Sequence, residues 1–255
     1  MKDYVQLRLV LLIAGLLFTC SASAEALRYG IGTGIFGLNI DGDMGFDVLN
    51  QPVRLDLDLD SDDIKDAKEG AFGLNGFVSS GDWTFLYGVG VLELEDDASS
   101  VRNNVPVNAE VTFTSTFLEL GLRHRISKQG NHIFALLGGL RYIDHEMETE
   151  LTIAGVRNKS EKGDDWIDLF IGGSHVYVFS PETAWSTRLD VGAGGSDLTY
   201  FFTTGFDWNF AEHWSTRFYG RILSIDYEEG SEGDSDWYLY DADEFGLGVG
   251  VVYSW

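Results

Sequence analysis

Residues 198–210 read Leu-Thr-Tyr-Phe-Phe-Thr-Thr-Gly-Phe-Asp-Trp-Asn-Phe. Leu198, Tyr200, Phe202, Thr204, Phe206, Trp208 and Phe210 occupy alternate positions and are mostly large and apolar. Thr199, Phe201, Thr203, Gly205, Asp207 and Asn209 lie between them and are mostly small or polar. A period of two marks a β-strand with two unlike faces. Residues 245–255 repeat it: Phe245, Leu247, Val249, Val251, Tyr253 and Trp255 share one face, and Gly246, Gly248, Gly250, Val252 and Ser254 the other. In a water-soluble sandwich the large face is the core and the solvent face favours Thr, Lys or Glu, because glycine weakens a strand. A membrane barrel inverts the requirement, since large residues meet lipid and small ones fit a crowded interior.

The same alternation recurs on either side. Trp185, Thr187, Leu189 and Val191 alternate with Ser186, Arg188, Asp190 and Gly192, and Trp214, Thr216, Phe218 and Ile222 with Arg217, Tyr219 and Arg221. Near the start, Leu27, Tyr29, Ile31, Thr33 and Ile35 alternate with Arg28, Gly30, Gly32 and Gly34. Charges fall on the small face, as they must, because an Arg turned to lipid near mid-bilayer costs roughly 2–4 kcal/mol. On this pleat Arg28, Glu119, Arg123, Arg141, Asp168, Arg188, Asp190, Asp207, Arg217 and Arg221 share one lumen. Charges in a narrow interior persist when paired and hydrogen-bonded, so the set reads as a salt-bridged plug in preference to an open conduction path.

Short breaks occur at Gly81-Asp82, Lys128 to Asn131, Ser180 to Glu182 and Ala211 to His213. Long polar segments lie near 41–68, 97–107, 149–164 and 228–242. Alternation of short periplasmic turns with longer outer loops is the pattern of an outer-membrane barrel, and Gly194-Gly195-Ser196 is the tight exception. Strands at roughly 27–38, 69–80, 83–96, 108–126, 132–148, 165–180, 184–193, 197–210, 213–227 and 243–255 make an antiparallel transmembrane β-barrel of about ten. An even count puts both termini in the periplasm. Val53 to Asp60 also alternates, as an outward extension of a strand or as a further strand followed by a short helix near 64–69, so counts of eight and twelve stay open.

Composition narrows the function classes. The chain has 255 residues and a formal charge of −24, which argues against nucleic acid as a partner because phosphates demand Lys and Arg. A hydrophobic content of 44% excludes a disordered acidic chain. Residues 1–24 carry Lys2 and Arg8, an apolar run from Leu9 to Phe18, and Ala22-Ser23-Ala24 before Glu25, the order of a cleaved secretory signal peptide. That run is about half the ~20 residues of a spanning helix. The barrel domain is then 25–255, exported to the outer membrane, and Cys20 is lost with the signal.

The resemblance is to small bacterial outer-membrane barrels of the OmpA/OmpW-like type. It is carried by Asp165-Trp166-Ile167-Asp168, Ser180 to Thr187, Asp190 to Leu198, Trp214-Ser215-Thr216-Arg217, Tyr219-Gly220-Arg221, Ile225-Asp226-Tyr227 and Tyr253-Ser254-Trp255. It is strongest over 165–255. It implies contact with outer-membrane lipid and lipopolysaccharide, and insertion by the barrel assembly machinery through Val249, Val251, Tyr253 and Trp255, where a terminal Phe is commoner than Trp255. It is nearly silent on activity, because the fold hosts pores, adhesins and enzymes alike.

Candidate chemistry is sparse. His124, His132, His145, His175 and His213 are scattered and show no metal spacing. His145 with Asp144 and Glu146 is the best acid/base cluster, and Ser174-His175 reads as an ordinary strand position. Acidic runs at Asp56, Asp58, Asp60, Asp62 and Asp63, and from Glu228 to Glu244, suit solvated outer loops. They also offer hard oxygen ligands for divalent cations bridging to lipopolysaccharide, although no EF-hand spacing is present. The expectation is a structural or surface barrel with acidic outer loops, without catalytic activity, metal or cofactor. The alternatives are a narrow porin-like channel for small or hydrophobic solutes and, behind it, a lipid- or peptide-modifying enzyme.

Overall fold

A computed structural model describes residues 27–48, 51–59, 71–102, 105–153 and 156–255. The expected signal peptide, Cys20 and the short helix near 64–69 lie outside the described residues. The strands are β1 (Arg28–Val48), β2 (Gln51–Leu59), β3 (Ala71–Ser80), β4 (Trp83–Arg102), β5 (Val105–Gln129), β6 (His132–Ile153), β7 (Val156–Val178), β8 (Thr183–Gly194), β9 (Leu198–Asn209), β10 (Trp214–Glu229) and β11 (Tyr238–Ser254).

Each strand from β3 to β11 pairs antiparallel with the next, and β11 pairs with β1 from Gly30↔Ser254 to Phe46↔Tyr238. The lower part of β1 pairs with β3, while its upper part, Ile40 to Val48, pairs with β2. The ring is therefore a closed barrel of ten strands, and β2 is a hairpin extension of β1 that stands above β3. Val53 to Leu59 is thus a further strand that extends β1 outward without adding to the ring, and Asp60 lies outside the described residues.

The register fixes the shape. The row Arg28, Ser79, Thr84, Arg123, Leu137, Gly172, Asp190, Phe201, Leu223, Glu244 returns to β1 at Ile40, a climb of twelve residues from 28 to 40. With ten strands that stagger tilts them by roughly 40° and leaves an interior that side chains can fill. The outer face is the lipid face. Ile35, Leu169, Ile171, Leu247 and Phe218 stand exposed, an apolar belt that water would not tolerate. At the periplasmic ends Trp83, Trp185, Trp208, Trp214 and Trp255 form an exposed aromatic girdle. The seam is closed by the Trp255 and Tyr29 amides, each donating to the other's carbonyl at 3.0 Å. Gly246 is needed there, because a Cβ would lie 1.7 Å from the Gly37 carbonyl oxygen.

The outer segments depart from expectation. The β4–β5 ladder runs unbroken to Arg102↔Val105 and the β6–β7 ladder to Ile153↔Val156, so most of 97–107 and 149–164 is strand instead of loop. Above the membrane neither face of a strand meets lipid, so both become polar. Polarity there marks water, not the end of pairing. The expected tight link is real: β8 and β9 stop at Gly194 and Leu198, and β7 and β10 continue above them unpaired with each other.

Candidate functional site in the barrel lumen

Period-two geometry turns Arg141 of β6, Glu119 of β5, and Arg188 and Asp190 of β8 into the lumen, where they meet. Arg188 donates to both Glu119 carboxylate oxygens at 2.7 and 2.9 Å and to Asp190 through Nε at 2.7 Å. Arg141 donates to Asp190 at 2.8 Å, to Glu119 at 3.2 Å and to the Thr199 hydroxyl at 3.3 Å. The rings of Phe170 and Phe201 flank both guanidiniums, at 5.0 and 5.3 Å from Arg141 and 5.2 and 4.7 Å from Arg188. Two cations and two anions balance, so a low-dielectric site strengthens the hydrogen bonds without leaving net charge.

The other expected members are dispersed. Asp168 makes no ion pair among the described residues; it accepts from the Ser196 amide at 2.9 Å and hydroxyl at 2.7 Å, fastening the β8–β9 tip. Asp207 and Arg217 lie 3.6 Å apart, and Asp207 also accepts a short hydrogen bond from Ser186. Arg221 pairs with Glu244 at 3.4 Å, a partner hidden in an acidic run that reads as loop. Arg123 reaches the Thr84 hydroxyl at 3.3 Å, and Arg28 stands exposed at the periplasmic mouth.

Exposure falls with height in this lumen. Side chains of Arg217 and Asp207 are 32% exposed, Arg188 16%, Glu119 10% and Arg141 0%. The lower lumen is thus open towards the periplasm, and accessibility ends at Arg141. Above it Leu38, Ile40, Ile143, Trp166, Phe201, Leu223, Ile225, Tyr227 and Tyr240 pack as a buried apolar cluster, an outer seal built like a globular core. The gap between β7 and β10 is bridged by side chains: the Trp166 and Tyr227 rings stack at 4.0 Å, and the Tyr227 hydroxyl donates to Asp164 at 2.8 Å.

His145 lies in this seal, above the apolar belt. Its Nδ1 is 3.0 Å from the Tyr238 hydroxyl, the Tyr240, Trp166 and Phe113 rings meet it edgewise at 4.4, 5.1 and 5.2 Å, and its Nε2 has no hydrogen-bond partner among the described residues. Burial pushes its pKa down to about 3. Over the seal lies a cavity of about 500 Å³ whose lining includes His145 itself as well as Asp144, Glu146, Glu161, Asp164, Asp165, Glu229 and Asp236, with Lys162, Trp237 and Tyr238. Asp144 and Glu146 project from the opposite face of the pleat; they line the same cavity as His145, but the hydrogen bond to its ring comes from Tyr238 and not from either carboxylate. Among the described residues no cluster of three or more His, Cys, Asp or Glu is placed to hold a metal. Val249, Val251 and Tyr253 share the lipid-side face of β11, and Trp255 follows directly after its end.

Sequence reading missed the seal. Trp237-Tyr238-Leu239-Tyr240, four large residues inside an acidic segment, is the signal that marks it.

No protein-family profile and no curated protein matches the chain. Among solved structures, outer membrane protease OmpT from Escherichia coli superposes with a TM-score of 0.52 at 9% identity, covering 93% of this chain and 99% of that one. The translocator domain of autotransporter NalP from Neisseria meningitidis gives 0.46 at 12% identity, covering 99% and 95%. An outer membrane channel from Pseudomonas putida F1 gives 0.43 at 10%, covering 92% and 97%. The first superposition shows the fold, that of a bacterial outer-membrane β-barrel, and does not single out the OmpA/OmpW type.

Proposed function

We propose that this barrel is sealed across its outer half and has a structural role at the cell surface, with its acidic outer strands facing lipopolysaccharide and divalent cations. The dry apolar cluster from Ile40 to Tyr240, directly above the Glu119–Arg141–Arg188–Asp190 layer, is the observation that carries this reading. We assign no catalysis to it, since His145 is packed among aromatic rings and, among the described residues, its ring is held by the Tyr238 hydroxyl and not by a carboxylate. Val249, Val251, Tyr253 and Trp255 serve as the insertion signal read by the assembly machinery. Liposomes carrying the folded protein are expected to retain small sugars as well as empty ones do; rapid solute leakage would contradict the reading.

A narrow channel for small or hydrophobic solutes is the second reading, and the open lower lumen favours it. Gly73, Gly88 and Gly90 face inward on β3 and β4, and a Cβ at each would meet only its own ladder, at 3.8–3.9 Å. They leave an unfilled strip beside the charged layer. If solutes pass there, Gly88→Leu lowers their flux without changing the fold; in a sealed barrel it changes nothing.

A further inference from the structure

Arg28, Ser79, Thr84 and Arg123 are consecutive members of one register row across β1, β3, β4 and β5, and all four positions face the lumen. Two guanidiniums thus flank two hydroxyls in a strip of donors beside the periplasmic mouth. Among the described residues neither arginine makes an ion pair, although Arg28 lines the periplasmic mouth together with Glu182 and Glu212. Arg123 is part-buried, its hydrogen bond goes to the neutral Thr84 hydroxyl at 3.3 Å, and the charged neighbour it feels is another cation, Arg188. The lower-lumen acids are already engaged, Glu119 by Arg188 and Arg141, and Asp207 by Arg217 and Ser186.

A part-buried guanidinium without a counter-charge is costly, and folded proteins neutralise it with a partner or a bound ion. We propose that the lower lumen is an anion site, in which a small oxyanion entering from the periplasm is held by Arg123 with the hydroxyls of Thr84 and Ser79. Arg28 guards the entrance. A planar guanidinium and adjacent hydroxyls suit phosphate or carboxylate oxygens. The row lies below the outer seal, so the site exists whether or not the seal ever opens, and its failure would leave the sealed-barrel reading standing.

The test is calorimetric titration of inorganic phosphate into the refolded full chain in an uncharged detergent and a low-chloride buffer, with folding checked by heat-modifiable gel migration. Saturable binding is expected, weakened about tenfold or more in Arg123→Gln. Arg157→Gln, which removes an exposed arginine paired with Glu150 far above the lumen, is expected to bind as the wild type does. Arg28→Gln, at the open mouth, provides an independent loss of affinity should Arg123→Gln fail to fold. Absence of saturable binding to folded wild type, or equal affinity in the arginine-to-glutamine lumen variants, would overturn the assignment.

Discussion

Arg188 on β8 holds both carboxylate oxygens of Glu119 on β5, three strands away around the ring, at 2.7 and 2.9 Å. The pair is a chord across the lumen, and Glu119 is also shared with Arg141. Glu119→Gln therefore strands two cations around one carboxylate, Asp190. Breaking a buried pair in this way costs about 3–5 kcal/mol. Urea unfolding of the refolded barrel should show a midpoint lowered to match, and an unchanged midpoint would mean that the lumen tolerates the charge through water.

Asp168 acts on the hairpin tip. Replacing it by Ala leaves the Ser196 amide and hydroxyl without their acceptor, a loss of roughly 1–3 kcal/mol for buried groups. The loss is local. Amide exchange should quicken from Gly194 to Leu198 while the β5–β6 ladder keeps its protection.

Burial keeps His145 neutral in the folded state, with a pKa of about 3 against 6.5 for an ordinary histidine. The unfolded chain takes up a proton below 6.5 and the folded chain does not, so stability falls as pH drops from 6.5 towards 3. Above 6.5 the group has no effect. The loss over that window is on the order of a few kcal/mol. Unfolding measured at pH 7.5 and pH 4.5 should show a smaller acid penalty in His145→Gln than in wild type; equal penalties would assign the acid sensitivity to carboxylates alone.

Gly246 sets how closely β11 approaches β1. A Cβ placed 1.7 Å from the Gly37 carbonyl oxygen forces the seam apart. Gly246→Val should prevent closure and abolish heat-modifiable migration, whereas Gly233→Ala, in a turn where a Cβ would meet nothing within 4 Å, tests backbone conformation alone and should leave the closed band.

Much of this was legible in the residues. The alternation from Leu198 to Phe210 places Tyr200 and Phe202 towards lipid and Thr199 and Thr203 inward, as the burial shows. The ring of ten could be counted because each periplasmic turn is short. The heights of the outer strands could not, since Glu148, Glu150, Arg157 and Lys159 form cross-strand ion pairs in water, where polar residues on both faces erase the period of two. The lumen was harder still. The pleat shows that Glu119, Arg141 and Arg188 point inward, but the stagger of twelve residues decides which of them meet, and that number emerges only when ten registers are added around the ring. Local register decides the rest: Arg188 lies opposite Ser174 and far from Asp168, and Glu244 lies one diagonal step from Arg221 on the neighbouring strand.

Closure of the outer lumen is the central claim, and single-channel recording in a planar bilayer tests it most directly. The folded wild-type barrel should be electrically silent. Truncating the seal with the double replacement Ile143→Ala and Tyr240→Ala should produce openings from an otherwise folded barrel. Stable, reproducible openings in the wild type would contradict the sealed barrel and make the glycine-lined strip beside Glu119 a conducting path.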